Sequence, residues 1–317
     1  MNYDLNIVIS KECTGNCNKN DRSLLTLNDI CTKVKSEIDG LPIRCVGSWS
    51  QQKIYYLLQY FGIFSAAMHD KWSGNINYVE IGCGIGRCVA RDLKIEFDGT
   101  SLGIIKHKEF EHISKAIFID FDQYTIEILN KRIDNQSVNK CYTIVGDYNN
   151  PVSLIGSLKE LIDIRRGLTL FFIDPTDCSV PFDLIYKIKN AFPNSDFIIN
   201  LAIGTDFTRN VVGSVKKSES YVKVRNKYIS FLGSKDFFTD PQTLEFVKIN
   251  DTKNLRTKFR EYYLKSLASI GLSYADFKRV RPYYDLVFAS QHKKGIEFWK
   301  KATKNEYDGQ RTINFNN

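Results

Sequence analysis

The sequence predicts an α/β fold with a mostly parallel central sheet, helices on both faces and an antiparallel hairpin at its C-terminal end. Three observations lead there. Short apolar runs alternate with helical segments, as parallel strands joined by crossover helices require. A glycine-rich turn follows the first of those runs, and two strand-like runs lie near the end of the chain.

The strands are expected at 77–81 (NYVEI), 116–120 (AIFID), 141–146 (CYTIVG), 169–174 (TLFFID) and 196–203 (DFIINLAI). Helices fall between them at 123–133 and 181–192. Ahead of the first strand, Ser48 and Gln51 stand at capping-box spacing, followed by Ile54, Leu57, Leu58, Phe61, Phe64 and Met68 at helical intervals. A later helix carries Leu255, Phe259, Tyr262, Leu267 and Ile270 on one face, with Gly271 past its end. The closing hairpin is expected around Arg281 and Pro282.

Residues 1–45 are polar and weakly periodic, so they read as an irregular N-terminal extension. The main domain spans 46–300 with a basic helical insertion at about 205–250, and 301–317 form a tail. No apolar run is long enough to cross a bilayer, and the first residues lack the basic start and cleavage site of an export signal, so a cytoplasmic protein is expected. Eight cysteines are read as free thiols. Cys13, Cys17, Cys31 and Cys45 lack the paired CxxC knuckles of a zinc site, and no metal is expected. His107 and His112 flank KEFE in a presumed insertion and are expected to face solvent.

The net charge of +8 is uneven along the chain. Arg209, Lys216, Lys217, Lys223, Arg225, Lys227 and Lys235 face only Asp206 and Glu219 in their segment, either a solvated face or a surface for a polyanion.

In an open parallel sheet, ligands lie beyond the carboxyl ends of the strands. After Glu80 the chain runs Gly82-Cys83-Gly84-Ile85-Gly86, a GxGxG spacing. Dinucleotide sites use GxGxxG, and a phosphate loop would need a Lys-Ser or Lys-Thr pair that does not follow Gly86. An acidic residue before GxGxG instead resembles motif I of class I S-adenosylmethionine (SAM) methyltransferases, a Rossmann-like fold. Asp120 then falls where a carboxylate accepts the ribose hydroxyls, and Asp147 where one accepts the adenine amino group, with Tyr148 beside it for stacking. Asp120 follows Gly86 by more than the usual spacing of about 20 residues, which an insertion over DGTSLGIIKHKEFEHISK accounts for. After the fourth strand, Asp174-Pro175-Thr176-Asp177 matches half of the Asp-Pro-Pro-aromatic tetrad of amine methyltransferases. In that tetrad the carboxylate and a backbone carbonyl accept the amine hydrogens. Asp174 and Pro175 are thus the candidate catalytic residues, with a helix-capping loop as the alternative.

Over residues 39–300 the chain resembles the three-Cys-motif partner family. The matching stretches are DGLPIRCVGSWSQQKIYYLLQYFGIFSAAMHDKW, YVEIGCGIGRC, FDGTSLG, FFIDPTDCSVPFDLI, DFIINLAIGTDFTRN and YYDLVFASQHKKGIEFWK. The resemblance implies a class I methyltransferase-like fold and pairing with a radical-SAM-like protein that bears a three-cysteine motif. Glu80, Cys83 and Ile85 depart from the family's usual form, GTSL stands for GSPL, and Asp177 stands for glycine. The function expected is SAM-dependent methylation of an amine in DNA or RNA, with Arg209, Lys216, Lys217, Lys223 and Arg225 on the substrate. The alternative is a non-catalytic module that binds SAM or a partner.

Overall fold

The structure is a computed structural model that describes residues 5–15, 17, 30–136, 139–217, 221–280 and 284–307. It divides into two compact units, Met1–Gly146 with Arg166–Leu168 and Phe298–Asn317, and Asp147–Arg165 with Thr169–Glu297.

The first unit contains, in chain order, β1 (Val8–Ile9), β2 (Ile30–Lys35), β3 (Pro42–Val46), α1 (Trp49–Met68), β4 (Ile76–Ile81), β5 (Arg87–Ala90), β6 (Ile95–Asp98), α2 (Thr100–Ile105), β7 (Lys115–Asp120), α3 (Gln123–Asp134) and β8 (Cys141–Val145). β4 pairs parallel with β7, and β7 parallel with β8, so three of the predicted strands lie side by side in chain order. Every residue of β4 is buried, as befits a strand covered on both faces. Helix α1 buries Ile54, Leu57, Leu58, Phe61 and Phe64 as its spacing predicts. Tyr60 is buried beside them, with its ring edge-on to Trp299. Ser48 does not cap the helix through its side chain: its hydroxyl donates to Asp92 Oδ2 at 2.6 Å.

A second sheet in this unit corrects the reading of residues 1–45. Its five strands run in the order β1-β6-β5-β3-β2, so the segment taken as irregular supplies three of them. Residues 1–4, 16 and 18–29 of that segment lie outside the described residues. Two features hide this sheet from sequence reading. Its strands are two to six residues long, and β3 pairs with β5, which comes more than forty residues later. Cys13 and Cys45 pack in its apolar cluster with Val34, Ile43 and Val89. Among the described residues, no group of His, Cys, Asp or Glu side chains is placed to hold a metal ion.

The same sheet buries a charge cluster. The Arg87 guanidinium pairs with Glu96 and, at 2.5 Å, with Asp98; all three side chains are at most 1% exposed. Lys106 also reaches Asp98 at 2.7 Å, while Ser36 donates its hydroxyl to Glu96 at 2.5 Å. Burial still pushes the Asp98 carboxyl above its ordinary range, against the pull of Lys106 and Arg87. His107 is likewise buried, contrary to expectation. It stands edge-on to Phe61 at 5.2 Å, and burial lowers its pKa to about 4.

The second unit contains α4 (Pro151–Leu161), β9 (Leu168–Ile173), α5 (Phe182–Ala191), β10 (Ser195–Leu201), α6 (Thr205–Lys216), α7 (Val222–Leu232), α8 (Pro241–Lys248), α9 (Thr252–Ser269), β11 (Tyr274–Val280), β12 (Tyr284–Ser290) and the start of α10 (Lys293–Ala302). β9 and β10 are parallel, β12 lies antiparallel to β10, and β11 pairs antiparallel on β12. The predicted hairpin is therefore present; its turn residues 281–283 lie outside the described residues. The fold is Rossmann-like α/β, mostly parallel with an antiparallel C-terminal hairpin. Helix α9 buries Tyr263 where Tyr262 was expected, and Tyr262 instead donates its hydroxyl to Asp240 at 2.8 Å. Phe207 and Phe231 pack their rings on Phe259, which draws α6 and α7 onto α9. Among the described residues no helix is long and apolar enough to cross a membrane.

Removing Arg87 leaves the buried Glu96 without a cation and Asp98 with Lys106 alone, so Arg87→Met is expected to cost about 3–5 kcal/mol. Urea unfolding followed by tryptophan fluorescence checks this, because Trp49, Trp72 and Trp299 all belong to the first unit. Arg87→Met with Glu96→Gln should cost less than Arg87→Met alone.

Candidate functional site

The glycine turn joins β4 to β5, and its three glycines have φ of +85° (Gly82), +63° (Gly84) and +88° (Gly86). L-residues with a Cβ populate this region at a cost of roughly 1–2 kcal/mol each. The turn therefore needs glycine for its backbone before any ligand is considered. It is fastened to the end of β7: the amides of Gly82 and Cys83 donate to Ile119 O at 2.8 and 3.0 Å, and Gly84 N–H donates to Asp120 Oδ2 at 3.1 Å.

The glycines differ in what surrounds them. A Cβ on Gly84 would meet only Arg44 Nη1, at 3.5 Å, whereas one on Gly86 would meet Leu129 at 3.0 Å and Leu102 at 3.2 Å. Gly84 is thus the position that leaves room beside the backbone. The space at Gly86 is filled by the protein itself.

The chain does not pass directly from this turn into a helix. The β5–β6 hairpin intervenes, and then α2 returns to the turn: Gly99 N–H donates to Gly86 O at 2.7 Å, and the Ser101 hydroxyl to Cys83 O at 3.0 Å. Thr100 donates its hydroxyl to Glu80, whose other oxygen accepts from Tyr78 at 3.1 Å. Glu80 is fully buried, so it anchors α2 to β4. The hairpin and α2 make up most of the long gap between Gly86 and Asp120. GTSL lies in the segment expected to be an insertion; small polar residues just ahead of an apolar run are the signal that a helix starts there.

Arg132 on α3 braces the turn from behind. It is 2% exposed and donates to Ile85 O at 2.5 Å, to Pro42 O at 2.9 Å and to both oxygens of Asp39 at 2.8 and 3.1 Å. Burial would raise the Asp39 carboxyl, but the Arg132 guanidinium and the Leu41 amide hold it below its ordinary value. The periodicity of α3 gave no hint that this arginine faces inward.

Asp120 closes β7 and is 6% exposed. Oδ2 accepts from Gly84, and Oδ1 accepts from the Asp122 amide at 3.2 Å. Burial raises its pKa, while those two amides and Arg44 favour the charged form. Burial, with Asp120 and Glu80 nearby, also raises the Cys83 thiol well above its ordinary value, which keeps it protonated at neutral pH.

In the second unit the predicted residues fare unevenly. Asp147 is exposed and accepts from the amide of Asn149 at 2.8 Å, a local turn bond. The Tyr148 hydroxyl pairs with Ser179 at 2.9 Å, on the loop after β9. Asp174 and Pro175 begin that loop, and both are already engaged by a residue that the sequence reading passed over. Asn200 Nδ2 donates to Asp174 Oδ1 at 2.8 Å and to Pro175 O at 3.1 Å. Register explains the meeting: Ile199 on β10 pairs with Ile173 on β9, so Asn200 and Asp174 are the next pair along two parallel strands.

Of the basic residues, Arg209, Lys216, Lys217 and Lys223 are exposed. Arg225 instead donates to Ser214 O, tying α7 to α6, and Lys216 reaches Asn250 Oδ1 at 3.1 Å. Lys227 pairs with Asp177 at 3.1 Å, which links α7 to the loop after β9.

No family model matches the chain, and no curated protein matches it. Among solved structures it is similar to human methyltransferase-like protein 13 in complex with S-adenosylhomocysteine (11% identity, TM-score 0.42, covering 84% of this chain and 96% of that one). It is also similar to TrmK of M. capricolum with S-adenosylhomocysteine (11% identity, TM-score 0.32, covering 76% of this chain and 77% of that one). A third is the fibrillarin pre-rRNA processing protein of Methanococcus jannaschii (10% identity, TM-score 0.35, covering 68% of this chain and 67% of that one).

The two glycine positions should separate in stability. Gly84→Ala is expected to cost about 1 kcal/mol from backbone strain alone. Gly86→Ala adds overpacking against Leu129 and Leu102 and should cost about 3 kcal/mol. Urea midpoints of the two variants measure the difference.

Proposed function

We propose that this protein is a SAM-dependent methyltransferase. One observation carries the reading: Asp120, next to the open Gly84, accepts one amide hydrogen on each carboxylate oxygen and keeps further lone-pair capacity on both. Such a carboxylate suits the vicinal hydroxyls of a ribose. Gly84 leaves room for the rest of the nucleoside to approach the backbone, so the residues present fit the cofactor. When bound, SAM supplies an electrophilic methyl group and leaves as S-adenosylhomocysteine. Cys83 stays a neutral thiol and does not compete as a nucleophile. Glu80 acts by holding α2 against the glycine turn, and Asp147 and Tyr148 are assigned to the adenine.

The acceptor we assign is an amine of a nucleic acid, held near Asp174 and Pro175. Exposed Arg209, Lys216, Lys217 and Lys223 supply cations for phosphates. The resemblance to the three-Cys-motif partner family supports a second reading, a non-catalytic SAM-binding module that works with a radical-SAM-like partner. The engagement of Asp174 and Pro175 by Asn200 favours it, since the hydrogen-bond pattern of an amine is already filled from within. Binding of SAM without methyl transfer to RNA, DNA or protein would select that reading.

Calorimetry should detect S-adenosylhomocysteine binding, and Asp120→Ala should abolish it; an unchanged affinity would sink the assignment. Asp120 must be ionised to accept two hydroxyl hydrogens, and burial raises its pKa. Affinity is therefore expected to be full above that raised value and to fall as pH drops through it, at a higher pH than an ordinary carboxylate would give. Asp120→Asn should remove this dependence.

Polyanion binding should weaken steeply with salt. Lys216→Ala, Lys217→Ala and Lys223→Ala are each expected to lower the log–log salt slope by about 1 if the lysine meets a phosphate. Fluorescence anisotropy with a labelled RNA or DNA across a salt series reads this directly.

A further inference from the structure

Asn200 lies on β10 with 1% of its surface exposed, and its amide is used on one arm only. Nδ2 spends both hydrogens, on Asp174 Oδ1 and on Pro175 O, while Oδ1 is buried and accepts nothing. The orientation of the amide is fixed by its surroundings. Turning it over would set Oδ1 against a carboxylate oxygen and a carbonyl, three acceptors without a hydrogen among them.

A buried acceptor left unsatisfied is costly, so its persistence points to a use. Resting on the methyltransferase reading, we propose that Asn200 Oδ1 is the group that accepts an N–H hydrogen bond from the amine to be methylated, with Asp174 acting through it as a positioning residue; the methyl passes from the sulfonium sulfur to the amine nitrogen, S-adenosylhomocysteine departs, and the amine loses one hydrogen as a proton to solvent.

Two arguments favour this over direct contact between the amine and Asp174. For the amine to take Asp174 Oδ1 and Pro175 O, Asn200 would surrender two hydrogen bonds in a buried place. That strands two buried donor hydrogens, whereas use of Oδ1 loses nothing and satisfies the orphan. The Asp174 carboxylate also polarises the amide it receives from, placing more negative charge on Oδ1 and strengthening it as an acceptor. The strand-end carboxylate thus keeps its influence on an amine without touching it. The site so built selects nitrogen that carries hydrogen, an exocyclic amine or amide, and disfavours an acceptor whose nitrogen is fully substituted.

The experiment follows tritiated methyl transfer from SAM to total transfer RNA, to unmethylated DNA and to lysate protein, alongside calorimetry with S-adenosylhomocysteine. For Asn200→Ala the expected result is cofactor affinity within about twofold of wild type and kcat/KM lowered about 100-fold, the effect of removing one oriented hydrogen-bonding group from such a site. Wild-type turnover in Asn200→Ala overturns this proposal and leaves the methyltransferase reading standing. Wild-type protein that binds S-adenosylhomocysteine but methylates none of the three pools overturns both.

If Asn200→Ala does not fold, Asn200→Asp keeps the size and serves in its place. Two carboxyls sharing one proton would restore both a donor and an acceptor at low pH. Turnover of that variant should rise toward about pH 5 while that of the wild type does not. Turnover that is flat across the range, or equal to wild type at alkaline pH, overturns the proposal.

Discussion

The end of β7 holds the glycine turn through three backbone amides, those of Gly82, Cys83 and Gly84. A turn with three residues at positive φ has little conformational preference of its own, and glycine loses more chain entropy on ordering than any other residue. Its shape must come from what it is tied to. The two bonds to Ile119 set the path, the bond to Asp120 aims the carboxylate, and Arg132 holds Ile85 from the other side. Because one hydrogen bond both shapes the turn and orients Asp120, the loop and the acid form a single unit of structure.

The β5–β6 hairpin is the main elaboration on this frame. It places Arg87 directly after Gly86 and sends the chain into a separate sheet before α2 returns to the turn. A detour of this kind costs stability unless the return is secured, and Gly99, Thr100 and Ser101 secure it with bonds to Gly86, Glu80 and Cys83. The Glu80 carboxyl and the Arg87 cluster are both kept from water, and each is compensated by several partners. They fix how the extra sheet's strands meet the turn.

The parallel strands were legible because each is a largely apolar run bounded by polar residues and followed by a helical period. β4, β7, β8, β9 and β10 could be placed from that pattern to within a few residues. The five-stranded sheet was not legible, since its strands are short and pair across a long separation, and the small side chain of Cys45 gave no strand signal. At the site, the glycine spacing and the acid ending β7 could be read from sequence. Arg132, Thr100 and Asn200 could not, because each acts through a partner brought close only by tertiary structure or strand register. Asn200 sits inside a run that reads simply as a buried strand. Only its pairing beside Asp174 shows that it takes the hydrogen-bond positions assigned to an amine.

We assign the ribose of the cofactor to Asp120. A crystal structure of the protein with S-adenosylhomocysteine tests it most directly: both ribose hydroxyls should lie within hydrogen-bond distance of the Asp120 carboxylate, with the ligand passing over Gly84. A ligand whose ribose lies away from Asp120, with the Gly84 to Asp120 bond unengaged, would contradict it.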